Sequence, residues 1–600
     1  MRIARWQPRP SNADSQGSGR VAAAVVLVAV VVSTTISLHA ARHLETAWDE
    51  PIDHDIAVGL QHHPLSGEQP PLDCSQMRLP MYVNAAVFAL TGRDDLVVMR
   101  AVSVAVAALT ILATFALARS LFGSMVGALA AVLLAFSPYF LSFARIAMTE
   151  GDVFVACFMT LALWAFVALG RRPSSARWLA CAVFTALAVG AKLHAVSLVL
   201  IYAVLSRTLP IRSAADGATA KAHRLVRHLL IAGVGLIILA ALPGALAAGR
   251  LVLTPETARR VATVGWAALL AVWIAIVVLI LRNRLLPARG RQAYVATISL
   301  AAVTFFALMP VHLIRPEIAR EILRRGLRWD GAVPMAHLAD HLRLYSGIVL
   351  IKLTVPLGIV TAAALLFAIF RAPQDPGWRL PAVAVAVHVA GLCLLPLRQT
   401  FYLMAVYPLI MVLTAAFVVH TGRRLRAWDT RVAAAWSVLV GVMILHLFVA
   451  VGRIHPDYHL YGYAVVGDRW LGAESRGYRN LIQTPSDGVE SLIRWCNRHA
   501  HPGDRVVSYL WEDPIIDRLL PTDPPYLLTR RGLSLNTDRI PPPPSIRDAD
   551  YVLVHINNRL GYGGCAPDAP PDDLLAASFK PVYTFRRAGL DIAWVYGRRD

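Results

Sequence analysis

Apolar runs of about twenty residues recur through the first three quarters of this 600-residue chain, and they restrict its folds more than any other feature. A run that long and that poor in charge is buried by crossing a bilayer as a helix, which satisfies its own backbone there. The runs lie near 21–40, 97–118, 123–143, 152–169, 177–191, 193–206, 228–248, 261–281, 293–312, 346–370, 379–397, 401–420 and 432–452. They predict an all-α polytopic membrane protein with about thirteen spans. The fifth and sixth runs are short, and Lys192 separates them. Only 16% of residues are charged, against about 25% in soluble domains.

The net charge of +20 follows topology rather than a nucleic-acid partner. With a cytoplasmic N-terminus, loops such as "GRRPSSAR", "LRNRLLPARGRQ" and "TGRRLRAWDTR" fall inside, and each is basic. The first outer loop, 42–79, is net acidic. This is the positive-inside pattern, and an odd number of spans puts the C-terminal tail outside. The basic leader 1–20 reads as part of an uncleaved signal anchor, because "SLHA" is a poor cleavage site. The long outer loop 313–345 reads as an amphipathic surface helix.

After residue 452 the membrane-length runs stop. "RVVSYLW", "YVLVHIN", "PVYTFRR" and "DIAWVYG" read as short strands, and "GVESLIRWCNRHA" as an amphipathic helix. The division is therefore a leader, 1–20; a transmembrane domain, 21–452; and a small extracytoplasmic α/β domain, 453–600. "PPPP" at 541–544 is a loop, and "GYGG" lacks the strand-to-helix setting of a dinucleotide loop. Cys157, Cys181 and Cys393 lie within apolar runs. Cys74, Cys496 and Cys565 lie in hydrophilic stretches, where an oxidising compartment would allow one disulfide.

Three polar clusters fall on the outer side under this topology. The stretch "AWDEPIDHD" crowds Asp49, Glu50, His54 and two further carboxylates behind the first span. "ARIAMTEGD" puts Glu150 and Asp152 at the start of the fourth, and "GAKLHA" puts Lys192 and His194 between two short spans. Such groups are costly beside apolar surface unless they pair, bind a ligand or reach water. A site at the membrane–water boundary suits a lipid-held phosphate and an acceptor arriving from outside. Lys192 would hold the phosphate, and a carboxylate would take a hydroxyl proton.

These motifs, in this order, resemble the GT-C glycosyltransferases that use polyprenyl-phosphate sugars, the group of protein O-mannosyltransferases and aminoarabinose transferases (glycosyltransferase family 39-like). "DEPIDHDIAVG" is similar to the family's first-loop run, and "GEQPPL" to its Glu-His-Pro-Pro-Leu with Gln69 in place of His. "LLAFSPYFLSFARIAMTEGD" resembles the second acidic motif, with Glu150 where Asp is usual. "ALAVGAKLHAV", "LRQTFYLMAVYP" and "HPDYHLYGY" resemble later marks, over roughly residues 20–500. The resemblance implies a GT-C fold and transfer of a hexose or pentose, with inversion, from a polyprenyl-phosphate donor. The acceptor is a protein, lipid or glycan hydroxyl at the outer face of a bacterial plasma membrane. It implies Asp49 as general base with Glu50 beside it and Glu150 orienting the first loop. Lys192 would neutralise the departing phosphate, and His54, His194, Arg398 and Tyr402 would line the substrate. No cofactor is required by this reading, and a divalent cation stays open.

Each sharp reading has a plainer rival. Asp49 and Glu50 also fit a topological marker, Lys192 and Lys352 fit snorkelling cations, and Asp53 and Asp55 read as solvated. His62–His63 and His337 with His341 fit surface histidines better than a metal site. At the level of the whole chain, a transporter or flippase, or a non-catalytic lipid-sugar-binding scaffold, is the alternative. A transporter expects paired broken helices and an internal repeat, and the sequence has no evident repeat.

Overall fold

The computed structural model describes residues 16–47, 50–65, 77–147, 152–206, 217–248, 255–283, 285, 291–315, 318, 335–393, 400–458, 487–510, 513–521, 524–530, 546, 548–555, 572–587 and 590–599. Asp49, Gln69, Cys74, Glu150, Arg398, Cys565, the proline run and most of the predicted surface helix of loop 313–345 lie outside the described residues.

The chain is a multi-span helical membrane protein with a small C-terminal sheet domain. Its first half runs α1 (Gln16–His43), α2 (Glu50–His62), α3 (Leu79–Thr91), α4 (Leu96–Phe122), α5 (Ser124–Ala135), α6 (Pro138–Ala144), α7 (Asp152–Arg171), α8 (Ser175–Ala191) and α9 (Ser197–Ser206). There follow α10 (Gly217–Ala248), α11 (Pro255–Arg282), α12 (Arg291–Leu308), α13 (Val311–Ile314) and α14 (Met335–Gly347). The last membrane elements are α15 (Val355–Arg371), α16 (Pro376–Cys393), α17 (Tyr407–Trp428) and α18 (Thr430–Ile454).

Local chemistry sets the ends. Asp95 opens α4 by accepting a hydrogen bond from the Val98 amide at 3.0 Å, and Ser174 opens α8 on Arg177. Pro138 and Pro408 stand in the first turns of α6 and α17, where a missing N–H costs nothing. Among the described residues, six helices are long and apolar enough to cross a membrane, or up to eight when each bent pair counts as one span. The bent pairs are α5–α6, turned by 64°, and α15–α16, turned by 116°. The remaining runs expected to cross are shorter helices, or in α10 a helix whose ends reach the limit of description. In α17, 89% of the apolar window is buried, against 17% in α11 and α18. Thus α17 is the central post, and the other two are largely uncovered by the described protein. One apolar helix, α3, had no counterpart among the expected spans.

The C-terminal domain contains α19 (Val489–His499), β1 (Arg505–Ser508), α20 (Asp513–Leu519), β2 (Leu527–Arg530), β3 (Tyr551–His555), α21 (Asp572–Ser578), β4 (Phe579–Arg587) and β5 (Leu590–Arg598). The sheet order is β2-β1-β3-β5-β4, parallel through the first three strands and antiparallel after them. All four expected strands and the expected helix are present, while β2, α20 and α21 went unread because they are short. Side-chain alternation splits the sheet into two faces. Val506, Leu553 and Val595 pack under Leu492 and Cys496 of α19, and Val507, Val552 and Trp594 face the other way. Cys496 is a free, buried thiol in that core, which removes it from the disulfide candidates. Burial pushes this thiol up to about 12.

Candidate active site

Two buried ionic clusters flank the residues singled out in the sequence. The first is built on Glu50 at the start of α2. Its carboxylate is fully buried and meets Arg100 of α4 in a forked pair, Nε to Oε1 at 2.9 Å and Nη2 to Oε2 at 2.5 Å. The amides of Ala47 and Ala147 donate to the two oxygens at 2.9 and 2.8 Å. Arg100 spends its other N–H groups on the carbonyls of Ala41, Leu44 and Glu45. Both partners of this pair are thus embedded in hydrogen bonds, as a buried ion pair requires. The pair joins the end of α1, the start of α2, the first turns of α4 and the segment after α6. The signal for Arg100 was an Arg inside the apolar run "VVMRAVS", an arrangement that calls for a named partner.

Helical spacing corrects one expectation. Asp53 is one turn beyond Glu50, lies on the same face as Ile56, Ala57 and Leu60, and is fully buried rather than solvated. Asp55 is exposed and pairs with Arg518. His54 sits 3.2 Å from Asp55, contacts the Asp94 carbonyl through Nε2 and tilts against Phe88. His54 is therefore anchored to the α3–α4 turn and, among the described residues, is not joined to the Lys192 cluster.

The second cluster is built on Lys192, where α8 stops and a 3-10 turn, Leu193–Val196, leads into α9. Lys192 donates from Nζ to Asp152 Oδ1 at 2.6 Å. Asp152 is the first residue of α7, where the helix dipole favours a carboxylate. The Lys192 ammonium lies 4.2 Å from the Phe401 ring centre and 5.1 Å from that of Tyr402. Both rings belong to a 3-10 turn, Thr400–Val406, which enters α17. His194 meets Tyr402 and His388 edge-on at 5.3 and 5.0 Å. His388 is oriented by Ser197 Oγ at 2.9 Å and the Tyr402 carbonyl at 3.3 Å. The fold therefore brings together Lys192, His194 and Tyr402 from distant parts of the chain, with Asp152 and His388 added.

The two clusters are linked through the segment after α6. Ala147 holds Glu50 and Asp152 holds Lys192, and five residue steps span at most about 18 Å. Glu150 belongs to that link, and Asp49 precedes Glu50. An apolar cavity of about 310 Å³ opens between α8, α9 and α12, with Val189, Leu193, Val196, Phe305 and Phe306 in its wall. His312 also lines it, stacked on Phe305 at 5.4 Å. Among the described residues no three His, Cys, Asp or Glu side chains group as a metal site.

Residues 78–241 match the family model described as dolichyl-phosphate-mannose-protein mannosyltransferase. No curated protein matches the chain. Among solved structures, the chain is similar to the apo oligosaccharyltransferase of Archaeoglobus fulgidus at 12% identity and TM-score 0.45, covering 96% of this chain and 74% of that one. It is also similar to ArnT from Cupriavidus metallidurans bound to undecaprenyl phosphate, at 14% identity and TM-score 0.44, covering 95% and 97%. The matched span 78–241 contains Arg100, Asp152 and Lys192, whereas Glu50, Phe401 and Tyr402 lie outside it.

Proposed function

We propose that this protein is a membrane glycosyltransferase that moves one sugar from a polyprenyl-phosphate donor to an acceptor hydroxyl at the outer face of a bacterial plasma membrane. The observation that carries the proposal is the Lys192 site: a cation set by Asp152 and two aromatic rings, next in the chain to Leu193, which lines an apolar cavity between helices. A prenyl chain needs an apolar groove, and its phosphate needs a cation. The family model over 78–241 supports the same reading.

In this reading Asp49 removes the acceptor proton as the acceptor oxygen bonds to the anomeric carbon. The bond from that carbon to the phosphate oxygen breaks, and the configuration inverts. Lys192 receives the charge that develops on the departing phosphate, which is electrostatic stabilisation of the transition state. Tyr402 and His194 flank the sugar, Arg398 adds a phosphate or sugar contact, and Glu150 orients the first loop. Glu50 becomes a positioning residue, because Arg100 and two amides already engage both its oxygens.

The test separates binding from chemistry. Lys192→Ala is expected to weaken undecaprenyl phosphate binding to the purified protein by about tenfold to a hundredfold, the worth of a charge-assisted hydrogen bond. Asp49→Asn is expected to bind the lipid as the parent does and to abolish sugar transfer, read by mass analysis of envelope glycans and proteins. Normal lipid binding by Lys192→Ala, or normal transfer by Asp49→Asn, would falsify the assignment of that residue.

A further inference from the structure

Among the described residues, the C-terminal domain touches the first outer loop on both sides of residues 48–49. Before them, Arg587 of β4 donates to the His43 carbonyl at 3.3 Å. Glu45 accepts from the Gly488 amide at 2.7 Å and from the Ser491 hydroxyl. Thr46 donates from its amide to Glu490 at 3.3 Å. After them, Arg518 of α20 donates to the Pro51 carbonyl at 2.9 Å and to the Asp55 carboxylate.

These contacts differ in weight. Arg518 and Asp55 are both partly exposed, and an exposed pair alone contributes little. Glu45 is the stronger tie, because its carboxylate sits on the N-terminus of the eleven-residue helix α19, where free amides and the helix dipole both favour an anion. The helix start is shaped for it. Gly488 has φ +93°, and a Cβ there would meet the Phe585 ring at 2.6 Å, so only glycine puts this amide against Glu45. Burial holds the Glu45 carboxyl above its ordinary value in spite of these bonds.

We propose that the C-terminal sheet domain is the positioning device of the first outer loop, gripping residues 43–46 and 51–55 and so holding the start of that loop in one place. This rests on the transferase reading for what the loop does, but not for the grip itself. Arg518 and Glu45 are positioning residues that act through the backbone of residues 43–55.

Hydrogen exchange on the purified full-length protein tests the grip without reference to activity. Arg518→Asp and Asp55→Arg are each expected to speed amide exchange in residues 43–62 by roughly fivefold to tenfold, with peptides of α4 and α17 unchanged. The double variant, which restores the ion pair with its charges swapped but not the bond to the Pro51 carbonyl, is expected to recover part of the protection lost in the single variants. Arg518→Gln and Glu45→Ala repeat the test without reversing a charge. In cells, the single variants are expected to lower envelope sugar transfer while undecaprenyl phosphate binding stays at the parent level, and the double variant to recover transfer. Unchanged exchange in residues 43–62, no recovery in the double variant, or reduced lipid binding in place of reduced transfer overturns the proposal. Absence of any transfer by the parent protein instead overturns the transferase reading, and exchange alone then decides the grip.

Discussion

At the residue scale, Glu50 shows how position in a network overrides chemical type. A carboxylate beside a proposed base invites a role in proton handling. Glu50 instead ties four chain segments together through Arg100, Ala47 and Ala147. Removing one partner of a buried, hydrogen-bonded pair strands the other, and costs about 3–5 kcal/mol. Glu50→Gln and Arg100→Leu are therefore expected to lower the thermal unfolding midpoint of the detergent-purified protein, each by an amount consistent with that loss. A Glu50→Gln protein as stable as the parent would return Glu50 to the proton-handling role. Arg145 poses a related case: its side chain is fully buried over the Tyr458 ring at 5.5 Å, so the C-terminal end of α6 carries another embedded cation.

At the scale of elements, breaks in helices matter more than helices. Lys192 reaches Asp152 because α8 ends in extended backbone at φ −157° before the chain turns again. A continuous helix would have carried it past α7. A second break lies at Ile348–Lys352, a π-helical turn that leads into α15 through Thr354 at φ +86°. The return of α15 against this turn is close. A Cβ on Gly358 would meet the Val349 and Leu350 carbonyl oxygens at 2.6 and 2.7 Å, both backbone atoms that cannot swing aside. Gly358→Ala is accordingly expected to destabilise the protein by about 1–3 kcal/mol, the ordinary cost of overpacking. The measurement is again the unfolding midpoint, and an unchanged value would mean that the π turn relaxes freely.

At the scale of the whole molecule, the two domains are coupled through residues 487–491. His555 of β3 is fully buried and donates from Nε2 to the Asp487 carbonyl at 3.0 Å, next to the Gly488 amide that binds Glu45. Burial pushes this imidazole down to about 4. Its folded value is depressed, so its stabilisation is complete above the ordinary value near 6.5 and is lost as pH falls from there through about 4, because only the unfolded chain takes up the proton. The loss amounts to about 3 kcal/mol at full depth. Unfolding of the C-terminal domain, followed by Trp594 fluorescence, is expected to ease over that window, and His555→Gln to flatten the dependence. A pH-independent midpoint in the parent would show that His555 is not buried in solution.

Period and hydropathy made the helical membrane part readable, because every apolar run had to become a helix whatever its neighbours. Alternation made four of the five strands of the tail readable for a similar reason. Within the site, the charges themselves were visible: Glu50, Asp152, Lys192 and His194 all stood out in apolar surroundings. Their partners were not. Arg100 lies 50 residues from Glu50, and Asp152 lies 40 from Lys192. Asp53 and Asp55 look alike in one dimension, yet one is in the core and the other on the surface. The sequence by itself determined that the long apolar runs become helices, because the cost of leaving such a run in water is a property of each segment alone. Which buried charge meets which, and that the tail grips the first loop, was decided only by tertiary structure, because an ion pair's energy depends on a distance that local sequence does not contain.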